Sequence, residues 1–296
     1  MTSVETLPPT TSEAARADAG TPRAGGRRRT HRLRLSPGTV AAGLFLLLVV
    51  LWALAPQWFT SADPLVGVGA EALRPPSADH WFGTDRIGRD QYARVVHGAR
   101  LSLQATVIAL AIALAVSSVI GVVAGFVGGW VDEVLMRVVD VLLAIPGLLI
   151  SLMLITVLGF GMVNIAIAVA VGSVASFARV TRSEVLKVRT AAYVESAAVA
   201  GVRWWSVLWR HVLPHASGPV LALAALEFGG AILSISALSF LGYGAAPPTP
   251  EWGSLVSDGR GYVATAWWLT TLPGIVVVLT VVAANTVSHA LSRRNA

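Results

Sequence analysis

The sequence predicts an all-α, polytopic membrane protein with six transmembrane helices and helical cytoplasmic elements between spans four and five. Three observations carry that expectation. Of the 296 residues, 55% are hydrophobic and only 13% charged, which is more apolar surface than a water-soluble domain can hide. The apolar residues gather into uncharged runs at 35–62, 101–131, 141–178 and 261–292, and the run 211–250 is interrupted only by Glu227 and two histidines. The arginines are distributed unevenly between the segments that separate these runs.

A spanning helix needs about 20 residues, which places spans near 39–55, 102–126, 135–157, 162–179, 219–240 and 269–291. Ahead of the first, residues 1–35 combine small and polar residues with Arg27, Arg28, Arg29, Arg32 and Arg34. Such a segment buries too little to offset its ordering entropy and reads as a disordered basic cytoplasmic tail. The remainder, 36–296, reads as one membrane domain. Its first apolar run begins too deep for a cleaved signal peptide.

Between spans one and two lies a Pro- and Gly-rich external segment, 56–100. Gly83 and Gly88 suit turns, and Asp90 suits the N-cap of a short helix, Gln91 to Arg100, leading into the second span. Spans three and four share one uncharged run, which a tight turn at Gly159-Phe-Gly161 and Asn164 divides. Pro146 removes a backbone hydrogen bond and kinks the third span. Spans four and five are separated by a charged, Trp-bearing segment, 180–217.

Lys and Arg accumulate on cytoplasmic segments. Seven arginines precede residue 36, and Arg179, Arg182, Lys187, Arg189, Arg203 and Arg210 follow the fourth span. Both termini and the 180–217 segment are therefore expected in the cytoplasm. Topology and anionic lipid account for the net charge of +6, so no nucleic-acid partner is expected.

Polar groups inside spans are costly and often functional. Arg137 and Asp140 stand three apart and can neutralise one another on one helix face. Glu227 has no cation in its own span, so it faces a water-filled path, pairs across a subunit interface, or is protonated. Asn164 and Asn285 suit interhelical hydrogen bonds. With no cysteine, thiol catalysis, disulfides and cysteine-ligated metals are excluded. No catalytic, Walker or metal-ligand motif is present, and no catalytic, cofactor or metal residue is assigned.

The 180–217 segment contains Glu195-Ser-Ala-Ala-Val-Ala-Gly201, followed by Leu213-Pro214. Ser196, Ala197 and Ala198 allow close approach of a partner backbone, Glu195 offers a carboxylate, Gly201 permits a turn between two helices, and Pro214 marks the start of the fifth span. An amphipathic hairpin lying on the membrane is the alternative, which Trp204, Trp205 and Trp209 would suit.

This pattern resembles the loop by which bacterial ABC importer permeases dock onto their ATPase subunits. The stretch His80-Trp-Phe-Gly-Thr-Asp-x-x-Gly-Arg-Asp90, then Arg94 and Gly98-Ala-Arg-Leu-Ser102, is similar to the second (C-type) permease of dipeptide, oligopeptide and nickel importers. Asp132-x-x-Leu-Met-Arg137-x-x-Asp140, Leu238-Ser-Phe-Leu-Gly242, Pro247 to Gly253 and Leu272-Pro-Gly274 resemble the same family, in family order. Three departures stand out. Ile235 occupies the place of a Glu usual before Leu-Ser-Phe-Leu-Gly, Ser288-His289 follow Asn285 where Gly-Asp is usual, and three tryptophans follow Gly201.

The resemblance implies a non-enzymatic permease subunit, in the bacterial plasma membrane, moving peptides or a related small solute by alternating access. Its partners would be a homologous second permease, two ATPase subunits that bind ATP and Mg, an external substrate-binding protein, and lipid. Coupling to the ATPases falls on Glu195, Ser196, Ala197, Ala198, Gly201, Leu213 and Pro214. Trp81, Asp85, Arg89, Asp90 and Trp252 are candidates for the external face, where bracing of the loop within the subunit is the other reading. A passive pore, or a permease for nickel or another solute, stands as the alternative.

Overall fold

A computed structural model describes residues 36–191, 194, 202, 203, 206 and 208–295, and the compact unit begins at Ser36. The described residues are built from helices, with one isolated antiparallel bridge, Thr84–Asp90. Helix α1, Pro37–Leu54, starts at Ser36, whose hydroxyl accepts from the Thr39 N–H, and ends ahead of Pro56, as proline requires of the residue before it. The segment that follows is irregular. It is held by backbone bonds from Leu73 to the Asp85 carbonyl, from Thr84 to that of Arg74 and from Gln91 to that of Gly83.

Helix α2, Gln91–Val127, runs 37 residues without interruption. The short helix expected before the second span and the span itself are thus one rod, about 55 Å long at 1.5 Å per residue and longer than a bilayer core is thick. Asp90 is its N-cap, accepting from the Ala93 N–H at 2.7 Å. Gly128, at φ +73, ends it, and a left-handed residue there is most easily a glycine.

The expected third span is not one rod. It is α3, Gly129–Leu143, and α4, Gly147–Leu158, bent by 92° at the break before Gly147. Pro146 is the N-cap of α4, so proline here divides two helices where a kink in one was expected. The turn to α5, Met162–Arg189, passes through Gly159 and Gly161 at φ +84 and +126. The Asn164 amide donates to the carbonyls of Leu158, Gly159 and Phe160, so it closes this turn between two helices. The later helices are α6, Leu213–Phe240, α7, Trp252–Gly259, and α8, Trp268–Asn295. Among the described residues, five helices are long and apolar enough to cross a membrane, or six if the bent pair is one span.

Helices α2 and α5 form the most extensive pair, because both present small residues. Ala105, Ala109 and Ala113 pack in one buried cluster with Ala166 and Ala170. Further along, a Cβ at Gly121 would lie 2.6 Å from that of Thr181. Small side chains allow this approach where the hydrophobic effect drives association only weakly.

Candidate functional site

Two regions carry the candidate residues. Glu195, Ser196, Ala197, Ala198 and Gly201 lie outside the described residues. The chain on either side of them is placed by packing and polar contacts. At the end of α5, Arg189 donates to the Gly125 carbonyl at 3.2 Å and stands 5.9 Å from the Phe126 ring, fixing the exit from α5 to the end of α2. Val194 is buried with Val185 against Val122, Phe126, Val188 and Leu208. The chain re-enters through a π-helical turn, Leu208–Val212, into α6. Leu213 is half-buried, and exposed Pro214 accepts from the Ser217 hydroxyl at 2.8 Å.

Helix α5 is tied to α3 by two ion pairs that sequence spacing did not reveal. Arg182 meets Asp132 through Nε–Oδ1 and Nη2–Oδ2 contacts of 2.5 Å each. Arg179 pairs with Asp140. The expected Arg137–Asp140 pair is therefore corrected: Arg137 is exposed and takes no part in an ion pair among the described residues. Although three residues apart on one helix, Arg137 loses Asp140 to an arginine reaching across from the facing helix. The basic residues of α5 were legible only as topology signals, since pairing across 39 and 50 residues has no local signature.

The segment around 80–100 forms the second region. Asp85 is the hub of its loop: Oδ1 accepts from the Ile87 and Arg89 N–H groups, and Oδ2 pairs with Arg89 Nε at 2.6 Å. Buried Arg94 stands 3.6 Å from both Asp85 and Asp258, joining this loop to α7. Asp90 pairs with His80 Nδ1 at 2.8 Å. Trp252 is fully buried, its indole donating to the Val95 carbonyl at 2.9 Å. Asp85, Arg89 and Trp252 therefore brace the segment within the subunit. Trp81 is 63% exposed, with Tyr92 5.0 Å away.

Glu251, absent from the sequence-based candidates, sits beneath this region at zero exposure. Its carboxylate caps α7 by accepting from the Gly253 and Ser254 N–H groups at 3.0 Å, and it receives the Ser102 hydroxyl at 3.1 Å. Burial pushes its carboxyl above the usual range, opposed by these hydrogen bonds. Glutamate is a poor N-cap by preference, so the motif Pro247 to Gly253, which contains it, was the only sequence signal at this position.

On α6, Glu227 is half-buried with no ion-pair partner among the described residues. Asn285 of α8 faces Gly229 of α6, where a Cβ would stand 3.1 Å from its Oδ1.

Residues 117–296 match the family described as binding-protein-dependent transport system inner membrane component. The chain is 37% identical over 260 residues to the di/tripeptide transport system permease protein DppC of Pseudomonas aeruginosa, covering 86% of each. It is 39% identical over 262 residues to the glutathione transport system permease protein GsiD of Shigella flexneri, covering 88% of this chain and 86% of the relative. It is 34% identical over 242 residues to the dipeptide transport system permease protein DppC of Alkalihalophilus pseudofirmus, covering 82% and 80%. The fold is similar to the inward-facing MetNI methionine ABC transporter, with TM-score 0.56 and 16% identity over 69% of this chain and 96% of that one. It is also similar to an amino acid ABC transporter solved with histidines, with TM-score 0.53, 14% identity and coverage of 69% and 94%. The chain belongs to the binding-protein-dependent transport system inner membrane component family, as a membrane-spanning permease subunit of an ABC importer.

Proposed function

We propose that this permease imports peptides or a closely related small solute. One observation carries the reading: relatives matched over at least 80% of their length are named for di/tripeptide, dipeptide and glutathione transport. The working assembly is this chain, a homologous permease, two ATPase subunits that hold ATP and Mg, and an external binding protein. Both termini and the 180–217 segment lie in the cytoplasm.

Closure of the ATPases moves the Glu195–Gly201 segment, and alternating access follows as rigid helices carry that motion. Two features support this coupling. Arg189 and the Arg182–Asp132 pair bind the end of α5 to α2 and α3, and Leu213 begins a continuous helix of 28 residues. On the opposite face, exposed Trp81 meets the binding protein.

The test is purification of the tagged chain in mild detergent, with peptide uptake measured in the reconstituted complex. ATPase subunits co-purify, and Gly201→Asp abolishes uptake with normal membrane insertion. Recovery of no ATPase subunit would overturn the assembly. Full uptake by both Gly201→Asp and Gly201→Val would overturn the coupling role.

A further inference from the structure

Helix α3 sorts its side chains into four stripes. Asp132, Met136 and Val139 make the side packed on α5: Val139 is buried against Ala175 and Ala178 with Met136 beside it, and Asp132 meets Arg182. One residue on, Glu133, Arg137 and Asp140 form an exposed charged stripe. One residue further, Val134, Val138 and Val141 continue the line of Trp130 as an exposed apolar stripe. Half-buried Val131, Leu135 and Leu142 make the fourth side, opposite the charges. Steps of three, four and seven residues keep each set on one face, and neighbouring faces are turned by about 100°.

The depth of α3 follows from what it touches. The turn between α4 and α5 is hydrogen-bonded through the Gly161 N–H to the Tyr243 carbonyl, just past the end of α6 at Phe240. From that turn α4 lies back along α5: Ser151 donates to the Ala168 carbonyl at 3.0 Å, and Gly147 abuts Gly172. The 12 residues of α4 rise only about 18 Å, against a bilayer core of about 30 Å. Counting about 20 residues along α5 from Met162 reaches Arg179 and Arg182, the partners of Asp140 and Asp132. Helix α3 therefore meets α5 where the core ends, and the 92° bend lays it across that level. Its charges run from Asp132 to Asp140, most of its length. A helix entering the core end-on would carry some of them into hydrocarbon, which is costly. Lying flat keeps them all at one depth.

We propose that α3 is an in-plane helix seated in the cytoplasmic leaflet, with its charged stripe in water and its leucine and valine sides in the acyl chains, the arrangement of amphipathic interfacial helices. Trp130 at its start suits the interface. A partner subunit's spanning helix would cross α3 steeply and cover about 10 Å of it, whereas Trp130 to Val141 extends about 17 Å, so lipid meets this stripe. The crossing is completed by α4, and the number of crossings is unchanged. Through Asp132 and Asp140, α3 fixes the depth at which α5 leaves the membrane toward residue 190. The choice of leaflet rests on the proposed topology; the in-plane placement does not.

The chain has no cysteine, so the unsubstituted complex supplies the background for single-cysteine labels. Nitroxides are attached at Val134→Cys, Val138→Cys, Val141→Cys, Glu133→Cys and Arg137→Cys in the assembled complex in lipid vesicles. At the three valine positions, collisions with oxygen exceed those with a water-soluble nickel chelate, and all three report the same depth. At Glu133 and Arg137 the order reverses, although these positions interleave with the valines. A depth difference of about 10 Å between positions 134 and 141 means that α3 crosses the membrane. Protection of all three valine positions from both reagents means that a partner subunit covers the stripe. Either result overturns the proposal.

A membrane-impermeant maleimide decides the leaflet. Glu133→Cys is labelled on this chain's own band in inside-out vesicles and not in right-side-out ones. The reverse overturns the cytoplasmic placement together with the proposed topology, while the depth pattern alone decides whether α3 lies in the plane.

Discussion

Asp132 of α3 and Arg182 of α5 meet in a two-pronged ion pair, both contacts 2.5 Å long, across 50 residues of sequence. Parallel hydrogen bonds between guanidinium and carboxylate fix direction as well as distance. The pair therefore sets where α3 lies against α5 just before the chain leaves toward residue 190. A double-mutant cycle with Asp132→Asn and Arg182→Gln should give a coupling energy of about 1 kcal/mol in thermal unfolding of the complex, since both groups keep partial solvent contact. Arg182→Lys should recover only part, because an ammonium cannot span both oxygens. Additive effects of the two substitutions would show that the pair is not formed.

Gly121 lies where α2 and α5 approach most closely. A Cβ there would stand 2.6 Å from the Thr181 Cβ and 2.8 Å from the Ala178 carbonyl oxygen. Gly121→Ala should destabilise by about 1–3 kcal/mol, because two packed helices must separate. Gly121→Val should prevent stable assembly. Gly43, with nothing within 4 Å of its built Cβ, is the control, and Gly43→Ala should unfold at the wild-type temperature.

Trp252 is buried and hydrogen-bonded to Val95. Trp252→Ala should cost about 3–5 kcal/mol from the cavity alone, seen as loss of folded protein after detergent extraction. Trp252→Phe keeps most of the volume and removes only the indole hydrogen bond to the Val95 carbonyl, which retains its place in the helical ladder of α2, so about 0.5–1.5 kcal/mol is expected. A defect confined to stimulation by the binding protein, with wild-type stability, would contradict this structural role.

Glu251 titrates in the opposite sense to a salt-bridged carboxylate. Burial raises its carboxyl above the ordinary value of 4.5, so the folded state binds the proton more tightly than the unfolded one. Its contribution to stability is fully present below about pH 4.5 and is lost as pH rises through the folded value. Glu251→Gln, neutral at every pH, should flatten the fall in melting temperature between pH 5 and pH 8. Glu251→Ala should cost about 2–4 kcal/mol at either pH, because two backbone N–H groups and the Ser102 hydroxyl lose their acceptor. Equal pH dependence in wild type and Glu251→Gln would show that this carboxyl does not titrate in that range.

By itself the sequence determined the features that depend on near neighbours. Apolar run length located the membrane helices, Asp90 declared an N-cap, the glycines at 83, 88, 159 and 161 declared turns, and Pro146 declared a kink, which the structure turns into a break between two helices. Each follows from local backbone geometry or from the length of helix needed to cross a bilayer. Only the tertiary structure decided the 92° bend at that break, the choice of Arg179 over Arg137 for Asp140, and the burial of Asp85, Arg89, Glu251 and Trp252. Pairing and burial are set by residues tens to more than a hundred positions away, and no local preference encodes such a partner.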